Sequence, residues 1–407
     1  MIALTDSTPP TQLAAAVHAF VEEHLPAAWL AAARADDWVT VTRLREDPDG
    51  SSEWWERLGA AGLATPTWPV EYGGLGVSAD TAQVVKEALA TYDAGRGDVD
   101  FISIALAGPT ILAHGTPEQK ERHLKAIALG KERWCQLFSE PGAGSDLAGL
   151  STRAERQPDG GWLVNGQKVW SSYAHLADFG ILMARSDPSL PKHRGITYFL
   201  CDMRAPGVEP RPLRQMNGDA EFNEVFLTDV LLPDSARVGE VGAGWAIGIA
   251  TLMNERSGLS GRPGVGPGRA DALLRRAQET GAWESPVVQD DLLALVVRER
   301  ANQMMTVRAF AESGDAAPTA EGSVRKLANS TLLEDLATYG PEVEPYGGTA
   351  WSGELPQVTY DFLDMKKLSI AGGTSEIQRN IIGERLLGLP KDPDPEKDLP
   401  FEDRTRS

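Results

Sequence analysis

Hydrophobic positions change their period twice along this chain. Leu13, Val17, Phe20 and Val21 recur at helical spacing, and residues 81–92 carry Val84, Val85, Ala88 and Leu89 in the same way. Thr116-Pro117-Glu118-Gln119 opens a further helix, with Thr as N-cap, Pro at the first helical position and Gln at the third, the makings of a capping box. Tyr72-Gly73-Gly74-Leu75-Gly76 reads as a loop between helices. From Trp134 the runs shorten: 134–138, 162–164, 169–173, 179–184, 196–201 and 224–227 are apolar or alternating. Pro158-Asp159-Gly160-Gly161 and Asn165-Gly166 punctuate them, and the second is a hairpin signal. These runs predict a small antiparallel β domain. Helical patterning resumes near Gly244 and continues to Leu387, broken by the Gly/Pro-rich stretch 258–268. The order is helical, β, helical, with domains expected at 1–133, 134–240 and 241–390, and a charged, proline-bearing, mobile tail at 391–407.

A length of 407 residues gives room for two or three such domains, and 42% hydrophobic residues suffice for substantial cores. No stretch of about 18 apolar residues predicts a membrane span. Neither an export signal at the N-terminus nor a peroxisomal address in Arg404-Thr405-Arg406-Ser407 is visible, so a cytoplasmic protein is expected. Cys135 and Cys201 both sit in strand-like runs and read as small buried hydrophobes of a reducing compartment. The net charge of −19 argues against nucleic acid and anionic membrane as partners. Between Arg185 and Arg214, however, Arg185, Lys192, Arg194, Arg204, Arg211 and Arg214 outnumber the acids. That stretch is either local relief for a phosphate-rich ligand or a solvated set of strand ends and loops. No metal site is expected.

Gly242-Ala243-Gly244 with Gly248 has the wrong glycine spacing for a dinucleotide fingerprint and lacks a surrounding βαβ unit, so it reads as a turn into a helix. Glu140–Asp146 differs. Two glycines and a serine after a β run make a tight turn whose backbone N–H groups can converge on an anion, and the Ser145 hydroxyl adds a neutral donor. Cys135-Gln136-Leu137-Phe138-Ser139-Glu140-Pro141-Gly142-Ala143-Gly144-Ser145-Asp146 resembles the first acyl-CoA dehydrogenase signature. Asn165-Gly166-Gln167-Lys168-Val169-Trp170-Ser171-Ser172 resembles that family's second flavin-contacting segment, and Gly372-Gly373-Thr374-Ser375-Glu376-Ile377-Gln378-Arg379-Asn380 its C-terminal signature. The resemblance extends from about Gly62 to Pro390. It implies an α+β fold with an N-terminal helical domain, a central antiparallel β-barrel-like domain and a C-terminal four-helix bundle, together with FAD as cofactor.

The resemblance also assigns roles. Phe138 and Ser139 would lie beside the isoalloxazine and bond its polar edge through main chain and hydroxyl. Gly144 and Ser145 would approach the pyrophosphate, with Ser145 also near the CoA substrate. Trp170 and Ser172 would flank the ring, Ser172 close to N5. Thr374 and Gln378 would reach the FAD of a neighbouring position, although Ser375 to Gln378 also reads as an ordinary capping box. The family's reaction takes an α-proton from an acyl-CoA thioester and passes a β-hydride to flavin N5. A weakly acidic α-proton calls for a desolvated carboxylate, whose pKa burial raises. Many members carry that glutamate just before the Gly-Thr-Ser of the last signature, where this chain has Gly372. Isovaleryl- and long-chain-type members place it before an arginine on a mid-chain helix, and this chain has Asn254-Glu255-Arg256 there. Glu255 is therefore the expected base, Gly372 an N–H donor to the thioester oxygen, and Arg256 a residue that positions the glutamate or meets the substrate.

The chain departs from the family in two places. An Arg-x-x-Phe-Gly stretch that grips a neighbour's FAD is missing between Gly258 and Phe310, and Gly347-Gly348 lacks the usual preceding Gln. Two assemblies follow: a homo-oligomer with substitute contacts, or a heteromer with a related dehydrogenase chain. The expected activity is acyl-CoA dehydrogenation with electrons passed to an electron-transferring flavoprotein, a carrier-protein thioester being a possible substrate as well. The competing readings are a flavin oxidase or monooxygenase on the same fold and a non-catalytic subunit of a heteromer.

Overall fold

Local signals set most of the helix starts. The computed structural model describes residues 4–96, 100–259, 269–313, 320–350, 353 and 355–404, and the side chains of 39, 46, 48, 49, 255–259, 309–313 and 347 lie outside that description. Among the described residues seven α-helices precede the first strand: α1 Pro10–His24, α2 Ala27–Arg34, α3 Trp38–Glu46, α4 Pro48–Ala60, α5 Ala79–Ala90, α6 Gly108–His114 and α7 Pro117–Ala128. At α7 the Thr116 side chain accepts from the Gln119 N–H while the Gln119 side chain returns to Thr116, so the capping box is complete. Leu13, Val17 and Val21 of α1 are buried with Val85, Ala88 and Leu89 of α5, joined by Trp29, Trp54 and Trp55. Each such apolar side chain contributes about 1.5–3 kcal/mol by leaving water.

Eight strands follow: β1 Trp134–Leu137, β2 Arg153–Arg156, β3 Trp162–Lys168, β4 Phe179–Arg185, β5 Ile196–Asp202, β6 Val208–Pro212, β7 Asn223–Leu232 and β8 Arg237–Val238. They form one sheet in the order β6-β7-β3-β2-β4-β5-β8, with β1 also on β4. Most pairings are antiparallel as expected, but β1–β4 and β2–β4 are parallel. Three further expectations are corrected here. Residues 169–173 form a loop and not a strand, with Trp170 and Tyr173 both left-handed, at φ 61° and 52°. Asn165-Gly166 does not turn a hairpin. It lies inside β3 at a bulge opposite β7, and the β2–β3 turn is made by 157–161, closed by the Gln157 N–H on the Gly161 carbonyl. Glycine is required at 166 because an added Cβ would stand 2.7 Å from the Thr152 Cα. Finally, the tail read as mobile is folded back over 395–404, where Pro400 bridges to Pro191 and the Phe401 N–H donates to the Leu190 carbonyl.

Beyond the sheet come α8 Gly244–Leu259, α9 Arg269–Thr280, α10 Pro286–Ser313, α11 Glu321–Tyr339, α12 Gln357–Asp364 and α13 Ser375–Ile381. Gly242, at φ 83°, turns the chain into α8 and its N–H donates to the Thr197 hydroxyl, as the turn reading expected. The chain divides into two compact units. One holds Met1–Leu213, Ala220–Thr251 and Pro395–Ser407, the other Arg214–Asp219 and Leu252–Asp394. The sheet's core gathers Trp162, Val164, Leu182, Phe199 and Leu227. The second unit's core gathers Leu273, Leu292, Leu295, Leu332 and Leu336 from α9, α10 and α11. No described helix is long and apolar enough to cross a membrane. Of the Gly/Pro-rich stretch 258–268, the backbone of Gly258 and Leu259 still belongs to α8, and 260–268 lie outside the described residues.

Candidate active site

In the first unit, the turn after β1 and the loop after β3 are tied together. Glu140 and Ala143 exchange backbone hydrogen bonds at 3.0 Å each, closing a turn that leaves Gly142, Gly144 and Ser145 exposed. Open space lies in front of Gly142 and Gly144, where an added Cβ would meet no atom within 4 Å. The Val169 N–H donates to the Ser139 carbonyl at 2.9 Å, which sets the loop 169–173 beside the turn. Its far side is pinned to the start of β7: Ser171 and Asn223 exchange backbone bonds, the Asn223 side-chain amide donates to the Ser171 carbonyl, and the Tyr173 N–H donates to the Glu221 carbonyl.

Trp170 is held with its ring 60% exposed, edge-on to Phe222. A bulky side chain at positive φ costs about 1–3 kcal/mol, and the bonds around it sustain that strain. A large aromatic face offered to solvent on a strained loop is available to a ligand. Ser172 stands half-buried beside it, and the Ser171 hydroxyl is buried without a partner among the described residues. Phe138 lies at the same corner. Its ring is buried edge-on against Tyr198, and its carbonyl accepts from Lys168, so Ser139 carries the accessible polarity at this corner.

Lys168 and Glu140 were missed as site residues, although each stands inside a quoted motif. Fully enclosed, Lys168 Nζ lies 2.8 Å from Glu140 Oε1. Glu140 also accepts from the N–H groups of Ser151 and Thr152 and from the Ser151 hydroxyl. Burial would push this carboxyl up, but the Lys168 charge and these hydrogen bonds overcome it and hold it down at about 2. Burial pushes Lys168 itself below the ordinary lysine value, against the pull of Glu140. The pair uses up both charges, so the turn faces outward with neutral donors only: backbone N–H groups and Ser145.

Within the basic stretch 185–214, four of the six named cations have partners inside the protein. Lys192 pairs with Asp146 at 2.8 Å, Arg204 with Asp178, and Arg211 with Glu209. Arg185 is buried, and its guanidinium donates to the carbonyls of Ala148, Leu150 and Lys192 at 2.7, 3.0 and 3.1 Å. Both cysteines are buried and free; burial pushes the Cys201 thiol up to about 12 and the Cys135 thiol higher still.

In the second unit, Gly372 and Gly373 are left-handed, at φ 65° and 92°, just before α13. The cap of that helix is Thr374, whose hydroxyl accepts from the Ile377 N–H at 3.3 Å, so the capping expected of Ser375 falls one residue earlier. Gln378 is wholly buried and turned inward: Nε2 donates to the Gly372 and Gly373 carbonyls at 3.0 and 3.1 Å, while Oε1 has no partner among the described residues. Lys326 of α11 adds a 2.8 Å bond to the Gly373 carbonyl. Gln378 and Lys326 thus fix the conformation of the Gly372–Gly373 backbone. Glu255 and Arg256 lie on the backbone of α8, and their side chains are outside the described residues.

Residues of the first unit fit a flavin dinucleotide. The turn 140–146 offers approachable backbone and a neutral hydroxyl to a diphosphate. Trp170 offers a ring-sized face, and Ser171 an unsatisfied buried hydroxyl at the same loop.

Comparison with known proteins identifies the family. Three family models match in series: "Acyl-CoA dehydrogenase, N-terminal domain" over residues 10–131, "middle domain" over 135–230 and "C-terminal domain" over 242–387. Acyl-CoA dehydrogenase FadE34 of Mycobacterium tuberculosis (strain ATCC 25618 / H37Rv) is 45% identical over 336 residues, 82% of this chain. The match spans 46% of that protein's length. Acyl-CoA dehydrogenase IpdE1 of the same organism is 39% identical over 347 residues, covering 83% of this chain and 88% of its own. Among solved structures, the ChsE4-ChsE5 complex from Mycobacterium tuberculosis aligns at TM-score 0.73 and 29% identity, covering 96% of this chain and 100% of that one. The Tcur3481-Tcur3483 steroid ACAD aligns at 0.75 and 25%, with the same coverage of both chains. With all three domains of one family in order, the chain belongs to the acyl-CoA dehydrogenase family of oxidoreductases.

Proposed function

We propose that this chain binds FAD and catalyses α,β-dehydrogenation of an acyl-CoA thioester, with Glu255 as the base, electrons then passing to an electron-transferring flavoprotein. The observation that carries the reading is the joined pair of flavin motifs, an open glycine turn locked to a strained loop that exposes Trp170. When bound, FAD supplies the two-electron acceptor for the β-hydride. The chain's own residues do the rest. Gly144 and Ser145 receive the diphosphate, Ser139 and Ser172 bond the ring's polar edge, and Trp170 covers one of its faces. Glu255 takes the α-proton onto its carboxylate, Arg256 orients it, and the Gly372 N–H donates to the thioester oxygen. The left-handed Gly372 backbone, braced by Gln378, supports that last role.

The partner proposed is a second dehydrogenase-like chain, with Thr374 at the start of α13 serving the shared flavin boundary and the buried Gln378 bracing the Gly372–Gly373 backbone behind it. Supporting this are the missing Arg-x-x-Phe-Gly stretch and the likeness to a chain of the ChsE4-ChsE5 complex. The likeness to a steroid ACAD supports a bulky, ring-bearing acyl group, for which a glycine at 372 leaves room.

The test is anaerobic bleaching of the flavin by a panel of acyl-CoAs. Glu255→Gln is expected to retain flavin and lose substrate-driven reduction, and reduction at the wild-type rate would show that the base lies elsewhere. A preparation that takes up no FAD, alone or with a co-produced partner chain, would reject the reading as a whole.

A further inference from the structure

The C-terminal segment returns to the first unit. Residues from Pro395 on belong with the sheet, where Pro400 bridges to Pro191 and the N–H groups of Phe401 and Glu402 donate to the carbonyls of Leu190 and Pro188. This docking lays the Phe401 ring over the Arg185 guanidinium, 3.5 Å from its carbon to the ring centroid. Arg185 is 3% exposed and has no carboxylate in hydrogen-bonding contact among the described residues. Its charge is met by that ring, by the carbonyls of Ala148, Leu150 and Lys192, and at longer range by the carboxylates of Glu140 and Asp146. Ala148 and Leu150 follow directly on the glycine turn, and Lys192 bonds Asp146 within it. Arg185 therefore holds the far end of the turn directly and its acidic corner through Lys192.

We propose that residues 395–404 are a strap that positions the turn 142–150 through the stack of Phe401 on Arg185, making Phe401 and Arg185 positioning residues for cofactor binding. Without the ring, one face of the guanidinium is open to water. Its bonds to Ala148 and Leu150 then compete with solvent, and the turn loosens. The consequence for affinity rests on the FAD reading above; the consequence for the turn's rigidity does not.

The experiment uses the full chain with Phe401→Ala, Phe401→Leu and Phe401→Tyr, reading two quantities. Hydrogen exchange of the apoprotein at 144–150 is expected to quicken in the Ala and Leu variants and to return toward wild type in Tyr, which keeps the aromatic face. The dissociation constant for FAD, from quenching of flavin fluorescence, is expected to rise about tenfold in Ala and Leu and to recover in Tyr, as the loss of a desolvated cation–π contact requires. Leucine preserves burial, so equal behaviour of Leu and Tyr would mean simple packing and would overturn the strap. Unchanged exchange at 144–150 in all three variants would overturn it as well. A wild-type chain that binds no FAD would remove the functional reading while the exchange measurement still decides on the strap.

Discussion

Glu140 and Lys168 show how one residue pair can hold a site without touching its ligand. Each comes from a different flavin motif, and their 2.8 Å contact closes the distance between the turn and β3. Removing one partner of an enclosed pair leaves a charge with no compensation. Lys168→Met is expected to cost about 3–5 kcal/mol, read as a lower urea midpoint, and Glu140→Gln in the same chain to recover part of that loss. A Lys168→Met chain as stable as wild type would mean the pair is incidental. The sign of the pH dependence follows from the depressed carboxyl. Stability from Glu140 is fully present above its unfolded value, about 4.3, and is lost as pH falls from there toward about 2. Because burial works against Lys168, the net contribution of the pair is smaller than the carboxyl's shift alone suggests. The wild type is expected to lose urea midpoint over that acid window more steeply than the Lys168→Met/Glu140→Gln double variant, and parallel curves would contradict the assignment.

At the level of elements, what the chain declares about itself depends on how local each signal is. The capping box at Thr116–Gln119 is complete within four residues, and it forms as read. Asn165-Gly166 is an equally strong dipeptide, but whether it turns or bulges is decided by Thr152 on the neighbouring strand and by the Asn165–Asp229 side-chain bonds across to β7. β2 escaped notice because Arg153–Arg156 buries Ala154 alone, leaving no alternation to see. Residues 169–173 looked like a strand because Val169, Trp170 and Tyr173 are apolar, although Trp170 is exposed on a left-handed backbone. That false strand coincides with the loop proposed above to meet the flavin, where an apolar side chain faces solvent and not the core. Gly166→Ala tests the bulge. Its Cβ would stand 2.3 Å from the Thr152 hydroxyl oxygen and 2.7 Å from the Thr152 Cα, so the strands must separate. A loss of about 1–3 kcal/mol in denaturation is expected, and an unchanged midpoint would show that β2 yields freely.

For the molecule as a whole, the family motifs made the fold and cofactor class legible, while assembly was readable only from what is missing. An Arg-x-x-Phe-Gly grip is absent, Gly347-Gly348 lacks its Gln, and Gln378 spends its amide nitrogen on its own Gly372 and Gly373 carbonyls. On the proposed reading, the first unit carries the turn and loop of a flavin site while the cross-subunit motifs are thinned, so the chain would gain from a partner that is complete where it is weak, whereas a second identical copy would repeat the weakness. Produced alone, it is expected to carry well below one flavin per chain. Produced with a second acyl-CoA dehydrogenase chain from the same genome, it is expected to yield a stoichiometric yellow assembly in which native mass spectrometry finds both chains. A homo-oligomer holding one flavin per chain would exclude the pairing and would shift the search to substitute contacts within this chain's own second unit.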